Sequence, residues 1–269
     1  MDAGRGGRPD VVKQARGAKS RRGFYLTLLL VGVAGVAGIL WATQRDRTAD
    51  VVTVPTTPAA TAAAAPGYLR GDPNAPVEIV EYADFECPGC GQFATVTEPD
   101  VRKRIVDAGL ARYRLYVFPV NGSHRNSPAA SLAAACADDQ GKFWEMHDRI
   151  FAGQNDWNSF ATDNPKAIFQ GYARELGLNM QTYDACYDGR KHVDRIAAHA
   201  KAAETAQIRS TPSFVIGNRM VAGAQPFDVI KAMVDSARAT APAAPAAPAA
   251  PATPVGGDTA ARTPVGTQR

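Results

Sequence analysis

Much of the usual chemical equipment is scarce in this 269-residue chain, which has four cysteines, four histidines and three tryptophans. His124, His147, His192 and His199 are scattered, and none stands at metal-ligand spacing from another ligand type. That removes the support for a histidine-based metal centre. No glycine-rich phosphate loop, dinucleotide fingerprint or Ser-His-Asp order occurs, so nucleotide-dependent and serine-hydrolase chemistry have no motif behind them. Basic charge is also scarce where a nucleic-acid surface would need it. The net charge is +4, but residues 1–23 hold seven Lys or Arg against two Asp, which leaves the remainder at −1. A nucleic-acid partner is not expected.

The stretch that does carry chemistry runs from Val77 to Cys90. Val77, Ile79 and Val80 are strand formers, and Cys87-Pro88-Gly89-Cys90 follows after a short turn. Pro88 suits the first turn of a helix, where a missing N–H costs little. Cys87 is therefore expected at a helix N-terminus, with Cys90 one turn along on the same face. Free N–H groups and the positive dipole end favour a thiolate at Cys87, and a thiolate is the nucleophile of disulfide exchange. Half a zinc site has the same C-x-x-C spacing, but the preceding strand and the proline favour redox chemistry.

Around this stretch the chain divides by composition. Residues 1–23 read as a basic, disordered, cytoplasmic segment. Residues 24–41 are free of charge and give about 27 Å of helix, close to a bilayer core. Tyr25 and Trp41 stand near its ends, and Arg16, Lys19, Arg21 and Arg22 precede it, so a single-pass anchor with a cytoplasmic N-terminus is expected. A cleaved signal peptide is the rival reading, and eighteen apolar residues are long for one. No cysteine lies near the segment, which argues against a lipoprotein anchor. Residues 42–66 read as a Pro/Thr/Ala linker, and 240–269 as an Ala/Pro-rich disordered tail.

That leaves a domain at 67–239. Alternation predicts a strand within 111–119. After Gln92–Thr97, Pro99 should kink or break the helix. Ser127-Pro128 reads as an N-cap and first helical residue, and from there to about 207 the pattern is helical. Ile168, Phe169, Tyr172 and Leu176 form an apolar stripe closed by Gly177. Phe214–Ile216 and Arg219–Val221 flank Gly217-Asn218, a hairpin signal, and a closing helix follows from Phe227. Asp84 and Glu86 read as solvated turn residues, and Trp144, Phe151 and Trp157 as core.

Four motifs in order resemble the DsbA-like thiol–disulfide oxidoreductases of the thioredoxin superfamily. They are Glu81, Cys87-Pro88-Gly89-Cys90, Gln140-Gly141-Lys142-Phe143-Trp144-Glu145 and Thr211-Pro212-Ser213-Phe214, within roughly 71–237. The resemblance implies an α/β thioredoxin-like fold with a helical domain inserted at about 127–207. It implies a cis Thr211–Pro212 bond packed beside the cysteine pair, with the Thr211 backbone open to an extended substrate. It places Glu81 beneath the pair, helping to move its proton. Four cysteines allow three connectivities; the C-x-x-C box favours 87–90 with 136–186, and related proteins carry a second, structural disulfide here.

The expected activity is oxidation of thiols in exported, unfolded proteins on the periplasmic side. A quinone-linked membrane oxidoreductase would re-oxidise the pair, and no cofactor or metal is implied. The departure is Gly89: members with His there gain a donor to the thiolate, so this pair is expected to oxidise less strongly. An isomerase or reductase of the same fold, a non-catalytic anchored chaperone module and a zinc-binding module are the alternatives.

Overall fold

The computed structural model describes residues 21–45, 51–53, 65–120, 122 and 124–240. Most of the expected basic segment, most of the expected linker and nearly all of the expected tail lie outside these residues.

Two units are distinct by contact, and the first is residues 1–50. Within it, helix α1 spans Arg21–Arg45. Its side chains are described, and exposed, from 23 to 38. Among the described residues, no helix is long and apolar enough to cross a membrane. The expected span, 24–41, runs past the last described side chain of α1.

The second unit holds a six-stranded sheet with β1 at Val52–Thr53, β2 at Tyr68–Arg70, β3 at Glu78–Ala83, β4 at Arg112–Val117, β5 at Ser213–Ile216 and β6 at Arg219–Ala222. The strand order is β1-β6-β5-β3-β4-β2. Strands β3 and β4 are parallel, and the other pairs are antiparallel. Two strands differ from the sequence reading. Val52–Thr53, inside the expected linker, pairs with Met220 and Arg219 at the open edge of β6. Tyr68–Arg70 pairs with Leu115, Arg114 and Tyr113 at the other edge. Both are too short to show a period, so only an available edge identifies them.

Between β3 and β4 a long helical passage carries the cysteine pair. It consists of α2 (Pro88–Gln92), a π-helical turn (Phe93–Thr97), α3 (Glu98–Val101) and a second π-helical turn (Arg102–Val106). Pro99 does not break this passage. It falls in the first turn of α3, just after the π turn, where its missing N–H leaves little unpaired.

Six helices separate β4 from β5: α4 (Ser127–Asp138), α5 (Phe143–Ala152), α6 (Gln154–Trp157), α7 (Lys166–Glu175), α8 (Met180–Asp188) and α9 (Val193–Thr205). The N-cap of α4 is Asn126 rather than Ser127, one residue earlier than the sequence suggests. Its side chain is engaged elsewhere, as described below. Gly177, at φ +70°, follows α7, and the Gly177 and Leu178 N–H groups return to Arg174 and Ala173. Cys136 of α4 and Cys186 of α8 are joined by a disulfide across 50 residues. The described residues end with the β5–β6 hairpin, turning at Gly217 (φ +60°), and α10 (Phe227–Thr240).

Both faces of the central strand are covered. Val80, Tyr82 and Tyr116 pack with Ala202, Ala203 and Ile208 on the α9 side. Ile79, Glu81 and Phe214 stand on opposite strand phase, and Phe214 meets Phe93 of the cysteine-bearing passage at 4.5 Å between ring centroids. Trp157 and Phe151 are buried, as expected. The sheet thus delivers the C-terminal end of β3 to the start of α2, next to the bend before β5.

Candidate active site

The site begins with local geometry. Cys87 is the N-cap of α2, with extended backbone (φ −69°, ψ 123°), and Pro88 follows in the first turn. Its own side chain makes no capping bond, so the helix start leaves N–H groups for an incoming negative charge. The thiol of Cys87 is partly exposed, whereas Cys90 is fully buried, and neither is in a disulfide.

Thr211–Pro212 is cis and stands against the pair. The Cys87 Sγ lies 3.3 Å from the Thr211 carbonyl oxygen. A Cβ built on Gly89 would meet Pro212 Cδ at 3.3 Å and Cys87 Sγ at 3.8 Å, so position 89 faces both. Gly91 is needed for close approach: a Cβ there would lie 2.7 Å from Gln154 Oε1.

The electrostatics of the two sulfurs diverge. The Cys87 thiol is brought from 9.0 down to about 5, chiefly by a hydrogen bond from Cys90. Burial opposes this, while the Thr211 side chain and the backbone of Cys90 and Gly89 reinforce it. The Thr211 carbonyl can serve only the protonated thiol. Ionisation gives up that one acceptor for several donors, which is why the thiolate wins. Burial pushes the Cys90 thiol well above its ordinary range, and its bond to Cys87 and the nearby charges of Cys87 and Glu81 add to this. The Asp84 N–H, at 3.4 Å from Cys90 Sγ, opposes.

Glu81 is buried in the middle of β3, between Leu115 of β4 and Phe214 of β5. The Tyr113 hydroxyl donates to its Oε2. Burial holds its carboxyl well above the usual range, and the negative charge of Glu98 adds to the effect. Tyr113 and Arg102 pull the other way. Glu98 itself is tied to Arg102, which reaches on to Asp148 and His147. His147 is buried among Phe85, Phe143, Trp144 and Phe151 and also joins this polar cluster.

Asp84 and Glu86 correct the sequence reading. Both are buried, not solvated. Asp84 accepts from the N–H groups of Glu86 (2.8 Å) and Val120 (2.7 Å) and contacts His124 Nδ1 at 2.7 Å. Glu86 accepts from the N–H groups of Asn126 (2.7 Å) and Ser159 (2.5 Å). Backbone donors supply what water would have given, which lets a charged group stay inside. The inserted helices add a third clasp: Gln154 Nε2 donates to the carbonyls of Phe85 (2.8 Å) and Cys87 (3.0 Å). The turn that carries Cys87 is therefore held by the insertion on three residues.

A family model described as thioredoxin matches residues 64–236. The chain belongs to the thioredoxin family. Among solved structures of this family's fold, alpha-DsbA1 of Wolbachia pipientis superposes with a TM-score of 0.60 at 21% identity, over 68% of this chain and 96% of that one. Oxidised BdbD of Bacillus subtilis gives 0.58 at 19%, over 71% and 99%. A thioredoxin-like oxidoreductase from Silicibacter pomeroyi gives 0.55 at 27%, over 65% and 94%. The chain thus has a DsbA-like thioredoxin fold with Cys87 and Cys90 as its C-x-x-C pair. Among curated proteins, Na(+)/H(+) antiporter NhaA 3 of Salinispora tropica is 36% identical over 174 residues, covering 65% of this chain and 25% of that protein. NhaA of Herminiimonas arsenicoxydans is 30% identical over 171 residues, covering 64% and 25%. The chain spans about a quarter of the length of these relatives.

Of the residues singled out from sequence, the thioredoxin-type site brings together Cys87, Pro88, Gly89, Cys90, Thr211 and Pro212, with Glu81 coupled to them by charge. Cys136 and Cys186 are joined to each other. Near Cys186, ligand atoms of Asp139, Cys186 and His192 lie within 4.8 Å of one another. The sulfur there is spent in the disulfide, and Asp139 is already paired with Lys191 and His192. Tyr113, Glu98, Arg102 and Gln154 escaped the sequence reading. Tyr113 had a signal, since it sits in phase with Leu115 on the buried face of β4. The others depend on which helix crosses the β3 turn, and no local pattern records that.

Proposed function

We propose that the protein is a membrane-anchored, extracytoplasmic oxidase of protein thiols, with Cys87 as the exchanging sulfur. The observation that carries this reading is the split between the two sulfurs: one partly exposed and stabilised as thiolate, one buried and held as thiol. In the oxidised pair, a substrate thiolate attacks Cys87 Sγ, the Cys87–Cys90 bond breaks, and the Cys90 sulfur leaves. Cys90 takes a proton as it leaves, and the neutral Glu81 carboxyl is its donor, itself re-protonated from solvent. A second substrate thiolate then attacks the substrate sulfur of the mixed disulfide and expels Cys87 as thiolate. Two substrate thiols become one disulfide, and the protein pair takes up the two electrons.

Thr211 and Pro212 serve the same step, with the Thr211 backbone pairing to an extended substrate. Pro88 and Gly89 support the thiolate position, and the Cys136–Cys186 bond is structural. Re-oxidation falls to a quinone-linked membrane oxidoreductase, and the apolar run at 24–41 supports the anchor. The antiport named for the curated relatives is not part of this proposal.

The test is oxidation of a reduced, disulfide-requiring protein by stoichiometric oxidised protein. Activity is expected in the wild type and lost in Cys87→Ser; activity that survives the substitution points instead to a non-catalytic chaperone. Gly89 supports a second reading. It offers no side-chain donor to Cys87, which favours a weaker oxidant working as isomerase or reductase. Alkylation trapping in cells separates the two, because the oxidase is expected to be held mainly as the disulfide.

A further inference from the structure

Phe160 is 99% exposed, more than any other large hydrophobic side chain described. It stands on a loop that is built, not loose. The two N–H groups of the Asn126 side chain close the loop's base on the carbonyls of Trp157 and Thr162, each at 2.8 Å. The Asn158 side chain accepts from the N–H groups of Phe160 (2.9 Å) and Ala161 (3.0 Å), an Asx turn that sets the tip. Arg125 holds the Ser159 carbonyl at 3.0 Å and pairs with Asp163 at 3.2 Å. The Ser159 N–H, next to Phe160, donates to the Glu86 carboxylate at 2.5 Å, and Glu86 precedes Cys87. Bond lengths along that link keep the Phe160 Cα within roughly 16 Å of the Cys87 Cα, a distance spanned by about five residues of extended chain.

A phenylalanine fully in water contributes nothing to this fold, yet six hydrogen bonds and an ion pair shape its loop, and one of those bonds ties it to Glu86, the residue before Cys87. We infer that Phe160 grips the substrate: it packs on an apolar side chain of the extended, thiol-bearing polypeptide segment that reacts at Cys87, a few residues from the reacting cysteine. This rests on the thiol-exchange reading above and adds a preference to it, for cysteines with an apolar neighbour. Glu86 is the positioning residue, because its two oxygens accept from Ser159 on the loop and from Asn126 at the loop's base.

The experiment measures second-order reaction of the oxidised protein with three reductants: dithiothreitol, a peptide with Leu four residues from its cysteine, and the same peptide with Ser at that position. Wild type and Phe160→Ser are compared; the side chain touches solvent almost everywhere, so the substitution leaves folding intact. The wild type is expected to prefer the Leu peptide. Phe160→Ser is expected to lower that rate about tenfold, a fraction of the burial gain of a phenylalanine, and to leave dithiothreitol and the Ser peptide within about twofold. Equal loss on all three reductants, or no loss on the Leu peptide, overturns the grip while leaving exchange at Cys87 standing. A wild type that reacts with none of the three overturns both.

Discussion

Removing the buried sulfur should raise the pKa of the exposed one by a predictable amount. In the structure the largest contribution to the depressed pKa of Cys87, about 5, is the hydrogen bond from Cys90. Hydrogen bonds to charged groups are worth about 1.5–3 kcal/mol, and 1.36 kcal/mol is one pKa unit, so losing this one corresponds to about one to two units. Cys90→Ala should therefore move Cys87 from about 5 to between about 6 and 7. It should not return to 9.0, because the Thr211 side chain and the backbone of Gly89 and Cys90 remain. Cys90→Ser keeps a donor and should stay near the wild type. The measurement is the rate of iodoacetamide alkylation against pH, checked by thiolate absorbance near the peptide edge. A Cys90→Ala value still near 5 would refute the role given to the Cys90 bond. A value near that of free cysteine would refute the contribution of the helix start, and with it the reason for placing a nucleophile at an N-cap.

The same depressed pKa gives a sign to pH dependence: the reduced protein gains stability as pH rises from about 5 towards 9 and loses it as pH falls through about 5. The melting temperature of the reduced form, taken against that of the oxidised form, should rise across that window. Glu81 behaves oppositely, since burial raises its pKa and the fold loses stability as pH climbs above the ordinary carboxyl value of 4.5. Glu81→Gln should thus gain stability over the wild type with rising pH in urea titrations, while slowing release of Cys90 by about a hundredfold in stopped-flow reduction. Replacing Cys136 and Cys186 by Ala opens a 50-residue loop. That should cost up to about 4 kcal/mol by chain entropy, visible as a lower melting temperature with reaction at Cys87 retained. Gly89→His places a donor on a Cβ 3.8 Å from Cys87 Sγ and should lower the Cys87 pKa further, making the pair more oxidising in a glutathione titration. An unchanged potential would show that position 89 does not reach the thiolate.

Different parts of the chain were legible for different reasons. The C-x-x-C box was readable because its chemistry depends on spacing along one helical turn, and Cys87 and Cys90 do fall at the N-cap and one turn in. The β5–β6 hairpin was readable because Gly217 must adopt positive φ. The edge strands Val52–Thr53 and Tyr68–Arg70 were not, since two or three residues carry no period and pair only where an edge is offered. Pro99 misled because its cost depends on whether the preceding turn is α or π.

Asp84 and Glu86 show the division most plainly. Next to a turn, two carboxylates look like solvent-facing residues, and their composition allows nothing else. Their burial was decided by Val120, Asn126 and Ser159, which bring N–H groups from 36 to 73 residues further along the chain. What the order of residues determined alone was short-range: which sulfur starts a helix, which segments are strand or helix, where two turns must be glycine. What only the packed molecule decided was the dielectric and the donors around each charge: why one sulfur ionises, why the other and Glu81 do not, and why a phenylalanine is held in water on a loop tied to Glu86. Charges respond to everything within a few ångströms, and several of those neighbours arrive from far away in sequence: Tyr113 and Arg102 at Glu81, Thr211 at Cys87, Asn126 and Ser159 at Glu86.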